Sequence, residues 1–269
     1  MTNSSNGRPD TGYARVAGLD MYYEVHGTGR PLVLLHGGLL TIGLTFGAML
    51  PTLAANHRVI AVELQGHGRT ADTGRELGFD HLADDVDALL DQLGVATADV
   101  FGFSLGGLVA LRLAMRHPAR VERLVVAAAH YRLDGYYPEI LDPARYATST
   151  RMPTAEEFAE MRAEYERVAP DPGHFEAFAA KASALISGFE GWADAELRAV
   201  DARTLVVIGD TDFVRVEHAA RMRELIPEAS LAVLPDTTHT GLLRRTDLLL
   251  PMVETVLAER AGAVTGGVG

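Results

Sequence analysis

Six strand-like runs organise the sequence: Leu32–Leu35, Arg58–Glu63, Asp99–Phe103, Arg123–Ala128, Thr204–Ile208 and Leu231–Leu234. A strand with one wet face alternates apolar and polar residues. These runs stay apolar through their length, which suits strands covered on both faces, as in a mostly parallel sheet. Ahead of them, Tyr13–Val16 and Met21–Val25 read as a short hairpin around Gly18. Helical segments separate the runs. Asp80–Leu93 places Leu82, Val86, Leu89, Leu90 and Leu93 at three-to-four spacing before Gly94. Leu105–Arg116 runs until His117-Pro118, and Val216–Leu225 and Pro251–Arg260 follow, with Pro251 suited to a first helical position. Strands and helices in alternation predict an α/β fold with an eight-stranded, mostly parallel, doubly wound sheet.

Composition narrows the chemistry. The 269 residues, 48% of them apolar, suffice for one large α/β domain. Without cysteine there is no disulfide framework, thiol nucleophile or thiolate metal site. Lys181 is the sole lysine, so Schiff-base chemistry would have to rest on it. A net charge of −12 with no basic cluster argues against nucleic acid or an anionic membrane surface as partner. The polar start, Met1 to Asp10, lacks the apolar core of a signal peptide, and no apolar run reaches the length of a membrane span. The expectation is a cytoplasmic, cofactor-free enzyme acting on a small molecule, with a homo-oligomer left open.

Residues 131–200 interrupt the alternation with helix-like patterns and carry ten of the eighteen aromatics. An inserted helical lid over a pocket, with Tyr131, Tyr136, Tyr137 and Trp192 as apolar walls beside Phe213, would explain this. Extra core helices would explain it equally. The expected organisation is a core of residues 13–130 and 201–260, a lid of 131–200, and flexible tails at 1–12 and 262–269.

Gly102-Phe103-Ser104-Leu105-Gly106 follows an apolar strand and opens a helix, the context a G-x-S-x-G turn needs. Small residues two before and two after the serine let neighbouring backbone pass close by, and the Leu105 N–H falls at a helix N-terminus. A serine hydroxyl needs a base, and the base an orienting acid. His239 lies in a polar loop after the last strand, where open α/β sheets place their functional groups. Gly209-Asp210-Thr211-Asp212 follows the preceding strand and offers two acids, which spacing alone does not separate.

The order Ser104, Asp212, His239 and the motif around Ser104 resemble the α/β-hydrolase superfamily, serine-nucleophile branch, over roughly residues 13 to 260. The resemblance implies that Asp212, at the end of a Gly-x-x-Asp pattern, is the acid and Asp210 a turn residue. It implies that His36-Gly37-Gly38 is an oxyanion element, so that the Gly38 N–H joins that of Leu105. Glu63-Leu64-Gln65-Gly66-His67-Gly68-Arg69-Thr70 looks like a structural turn of the family, departing at Glu63, Gln65 and Thr70. The lid-bearing form is similar to cofactor-free carboxylesterases, perhydrolases and meta-cleavage-product hydrolases, with Leu39 where many perhydrolases carry proline. The implied reaction is hydrolysis of a carboxylic ester, thioester or lactone through an acyl-enzyme. Carbon–carbon hydrolysis of a carboxylate-bearing substrate is the alternative, with Arg132 or Arg215 facing the pocket. A non-catalytic binding protein on the same scaffold is another.

Other signals carry less. Gly66-His67-Gly68-Arg69-Thr70-Ala71 matches a dinucleotide fingerprint without the helix it requires, and the histidines lack metal-ligand spacing. His36 is expected to bond backbone behind the oxyanion loop. Lys181 reads as a solvated surface charge, Asp84, Asp85 and Asp87 as the exposed face of a helix, and Asp134 as a fallback acid.

Overall fold

In the computed structural model, which describes residues 9–146 and 148–258, the chain opens with a hairpin. Strands β1 (Asp10–Val16) and β2 (Leu19–His26) are joined by Ala17 and Gly18, both at positive φ, as a two-residue turn demands. β1 therefore takes in three residues of the stretch expected to be tail; residues 1–8 and 262–269 lie outside the described residues. The remaining strands are β3 (Arg30–Leu35), β4 (His57–Val62), β5 (Ala98–Phe103), β6 (Val121–Ala127), β7 (Arg203–Gly209) and β8 (Ala229–Leu234). They form one eight-stranded sheet in the order β1-β2-β4-β3-β5-β6-β7-β8. The pairs β1–β2 and β2–β4 are antiparallel and all others parallel.

Side-chain alternation along the buried strands feeds two cores. Val33, Leu35, Ile60, Val62 and Val100 face one side of the sheet, and Leu32, Leu34, Val59, Ala61 and Phe101 the other. Helices α1 (Ile42–Phe46) and α2 (Leu50–Asn56) lead from β3 to β4, α3 (Phe79–Gln92) from β4 to β5, and α4 (Leu105–Arg116) from β5 to β6. Between β6 and β7 lie α5 (Pro143–Tyr146), α6 (Ala155–Val168), α7 (Phe175–Ser187) and α8 (Asp194–Arg198), with no named strand among the described residues. α9 (Val216–Leu225) precedes β8 and α10 (Thr246–Leu257) follows it. Thr154 and Glu157 fix the start of α6 by a reciprocal capping box. Among the described residues, no helix is long and apolar enough to cross a membrane.

Two expectations about the helices need correction. α10 starts at Thr246 and carries Pro251 in its interior. Burying Leu249 and Val253 against the sheet outweighs the one intrahelical hydrogen bond that the proline forfeits. On α3, Asp85 is buried and pairs with Arg75, although Asp84 does lie partly exposed, bonded to Arg116 and His117.

Candidate active site

Ser104 joins β5 to α4 at φ 53°, ψ −116°, a strained conformation that the turn enforces. A Cβ at Gly102 would collide with the carbonyl of Gly106, and one at Gly106 with the carbonyl of Leu35. Both glycines are required for the strand-to-helix reversal to pack on β3. The Ser104 N–H donates to Ala127 O (2.8 Å), fixing the turn to the end of β6.

The hydroxyl of Ser104 lies 2.9 Å from His239 Nε2, and His239 Nδ1 lies 2.9 Å from Asp212 Oδ1. A carboxylate oxygen only accepts, so Nδ1–H donates to Asp212 and Nε2 is left to accept from the serine hydroxyl. Asp212 is fully buried, and Oδ1 also receives the Val214 N–H (2.9 Å). Phe213 stacks on the imidazole at 3.7 Å between centroids, and Phe103 packs against it at 5.0 Å. From the β6–β7 insert, Arg151 donates to Asp212 O (2.7 Å), while its guanidinium covers Tyr137. Sequence reasoning missed Arg151, because nothing local marks a partner sixty-one residues away. Asp210 instead accepts the Thr237 N–H (3.1 Å) and braces the loop leading to His239. Asp134 is exposed and faces His218, away from this chain of bonds.

His36 is buried and bonds backbone on both sides. Nδ1–H donates to Gly37 O (2.8 Å), so Nε2 accepts the Leu64 N–H (3.1 Å). Burial pushes its pKa down to about 4, which keeps this neutral tautomer. In a trans peptide the N–H opposes the carbonyl, so tying back Gly37 O turns the Gly38 N–H the other way. Gly38 and Leu105 stand side by side, and both line the same cavity as Ser104. Leu105 is the first residue of α4, whose N–H has no intrahelical acceptor. The turn after β4 is held differently from its expected pattern. Buried Glu63 accepts the Arg69 backbone N–H (2.5 Å) and its guanidinium (3.0 Å), and Thr70 donates to Glu63 O.

A cavity of about 520 Å³ opens above Ser104 and His239, roofed by the insert. Tyr136 and Phe213 line it, as does a face of α7 from Ala179 to Ser187. Three of the five expected wall residues do not. Tyr131 turns away to bond Asp194 and stack on His218. Trp192 packs edge-on against Phe79 and Phe189 in the core. Tyr137 lies under Arg151. Arg132 and Arg215 likewise face a separate charged groove with Asp194 and Glu217. Lys181 is no free surface charge: its Nζ bonds Asp72 Oδ1 (2.6 Å) and Thr73 O (2.8 Å). Many charged and aromatic side chains of the insert thus serve to fasten it, and the walls come from Tyr136, Phe158 and aliphatic residues such as Met161 and Ile186.

His130, unremarked in the sequence, lines the cavity just past β6 and is 1% exposed. Its Nε2 is buried without a hydrogen-bond partner among the described residues. Burial, with His218 and His239 nearby, pushes its pKa down to about 3, so the ring is neutral.

A serine on a strained turn, bonded to a histidine that is bonded to a buried carboxylate beneath a covered cavity, is the arrangement of a hydrolase. The comparisons with known proteins agree at the level of the family. Residues 30–150 match the family model described as the alpha/beta hydrolase fold. The 2-hydroxymuconate semialdehyde hydrolase of Pseudomonas sp. (strain CF600) is 30% identical over 287 residues, covering 97% of this chain and 99% of that protein. Among solved structures, an N-acyl homoserine lactone degrading enzyme has a TM-score of 0.74 at 26% identity, with 91% of this chain and 99% of that one covered. A meta-cleavage product hydrolase from Pseudomonas fluorescens IP01 gives a TM-score of 0.76 at 23% identity over 92% of this chain and 97% of that one, a likeness of fold. The chain belongs to the α/β-hydrolase family, and it is a hydrolase.

Proposed function

We propose that the protein hydrolyses small, neutral, largely apolar carboxylic esters or lactones through an acyl-enzyme on Ser104. The observation that carries this is the continuous chain of hydrogen bonds from Ser104 through His239 to Asp212. In this reading Ser104 Oγ attacks the carbonyl carbon while His239 Nε2 takes its proton, and Asp212 stabilises the resulting imidazolium. The oxyanion is held by the N–H groups of Gly38 and Leu105, each contributing on the order of 3 kcal/mol. His239 then protonates the leaving alcohol, and water, deprotonated by His239, attacks the acyl carbon and releases the acid.

The cavity supports a neutral substrate. Among the described residues that line it, none is Lys, Arg, Asp or Glu; its polar groups are hydroxyls and two imidazoles. The likeness to the 2-hydroxymuconate semialdehyde hydrolase favours a second reading, carbon–carbon hydrolysis of a carboxylate-bearing substrate. Such a substrate calls for a cation at its carboxylate, and Arg132 and Arg215 lie on the other groove.

Replacing Ser104 by Ala should abolish both turnover of 4-nitrophenyl esters and labelling by a fluorophosphonate. Labelling that survives in S104A would remove Ser104 from the role. A wild type that gives neither label nor burst of 4-nitrophenol would favour a ligand-binding protein. A panel of acyl chain lengths set against a dienoate substrate separates the two enzymatic readings.

A further inference from the structure

His130 presents an unusual combination. It lines the cavity above Ser104, it is almost wholly buried, and its Nε2 has no hydrogen-bond partner among the described residues. Packing alone does not call for a nitrogen there. The ring contacts Tyr136 at 4.2 Å and Phe189 at 5.9 Å between centroids, contacts that an apolar side chain of similar size would make as well. A buried polar atom left unbonded destabilises the fold, so its presence points to a partner that arrives with the substrate.

The position says which part of the substrate that is. Ser104 N–H is tied to Ala127 O, at the end of the strand that leads three residues later to His130. Once the leaving group has departed, only the acyl group remains bonded to Ser104 in the cavity that His130 also lines, so it is the part that this ring can hold through both steps. Taking the acyl-enzyme on Ser104 as given, we propose that His130 is a specificity residue that hydrogen-bonds a neutral polar group on the acyl chain, such as a hydroxyl, an oxo group or an amide. The ring stays neutral, its pKa near 3 through burial and the neighbouring His218 and His239. A neutral imidazole offers one donor and one acceptor, which suits an uncharged partner and gives a carboxylate no ion pair. The preferred substrate is thus an apolar ester or lactone with a second hydrogen-bonding group on its acyl side.

The test compares 4-nitrophenyl 3-hydroxybutanoate with 4-nitrophenyl butanoate on wild type, His130→Leu and His130→Gln. Wild type should favour the hydroxylated ester in kcat/KM by tenfold or more. H130L should bring that ratio close to one, and H130Q, whose amide reaches toward the position of Nε2, should keep much of it. H130L should also melt at or above the wild-type temperature, because it removes an unbonded nitrogen from the interior. A wild-type ratio near one, or a ratio that H130L leaves unchanged, overturns the proposal. So does a fall in melting temperature with the ratio intact, which would make His130 a packing residue. These failures differ from failure of the esterase reading, in which wild type turns over neither ester.

Discussion

Asp210 and Asp212 stand two residues apart in one turn and hold different things. Asp212 reaches the imidazole, and Asp210 receives the backbone of Thr237 in the loop before it. An amide at 212 can present its N–H to His239 and favour the wrong tautomer, so Asp212→Asn should lower kcat by about 10⁴-fold with the fold intact. Asp210→Asn keeps an acceptor for Thr237 and should cost under about tenfold, within what a shifted positioning contact brings. Steady-state kinetics on an activated ester checks both, and the reverse ranking would move the role to Asp210. The candidate pair Ser104 and His239 was legible because each lies at a strand end with local markers. His130 was not, since an isolated histidine in sequence gives no sign of whether its nitrogens find partners.

At the scale of elements, α7 is both a wall of the cavity and a part fastened from outside. Asp72, in the loop after β4, holds it through Lys181 and holds the preceding turn through His174. Burial of Asp72 raises its pKa, but hydrogen bonds from Lys181, His174 and Gln65 outweigh this and keep it below the ordinary carboxylate range. On α6, Glu157 reaches Thr240 and Arg244, next to His239. Lys181→Met keeps the apolar stem and removes the tie. It should speed chymotrypsin cleavage within residues 150–190 several-fold and raise KM more than it lowers kcat, because Ala179, Ala182 and Ile186 of the same helix line the cavity. Unaltered proteolysis would show that the Lys181–Asp72 bond does not hold the helix. The helices here were readable from spacing. Which face of each turns to the cavity was not, because that depends on partners such as Asp72, more than a hundred residues away from Lys181.

Across the whole molecule, buried histidines should make stability fall in mild acid. Burial foremost lowers the pKa of His36 and His218 to about 4 and of His130 to about 3, and holds His67 well below its ordinary value. Each is neutral when folded and protonates near pH 6.5 when unfolded, so the unfolded chain binds more protons as the pH drops below that value. The stability these groups supply is complete above about pH 6.5 and is lost progressively below it, down to about pH 4 for His36 and His218 and about pH 3 for His130. Glu63, its carboxyl raised by burial, works in the opposite direction, one group against four. Urea denaturation at pH 7.0, 6.0 and 5.0 should give a steadily falling midpoint. A flat midpoint would mean that these histidines bind protons without unfolding.

What the sequence determined by itself is what short-range patterns encode. Continuous apolar runs specify strands buried on both faces, three-to-four spacing specifies the helices over them, and Gly102-Phe103-Ser104-Leu105-Gly106 specifies a turn that few backbones tolerate. Only the tertiary structure decided which residues meet. It set Trp192 and Tyr131 into packing behind the cavity, paired Lys181 with Asp72 and Asp85 with Arg75, and left His130 lining the cavity with a nitrogen that has no partner among the described residues. The physical reason is that periodicity fixes how a segment is built and which of its faces is apolar. The neighbour against which that face is buried, or the partner a charge finds, is chosen by the whole chain as it packs.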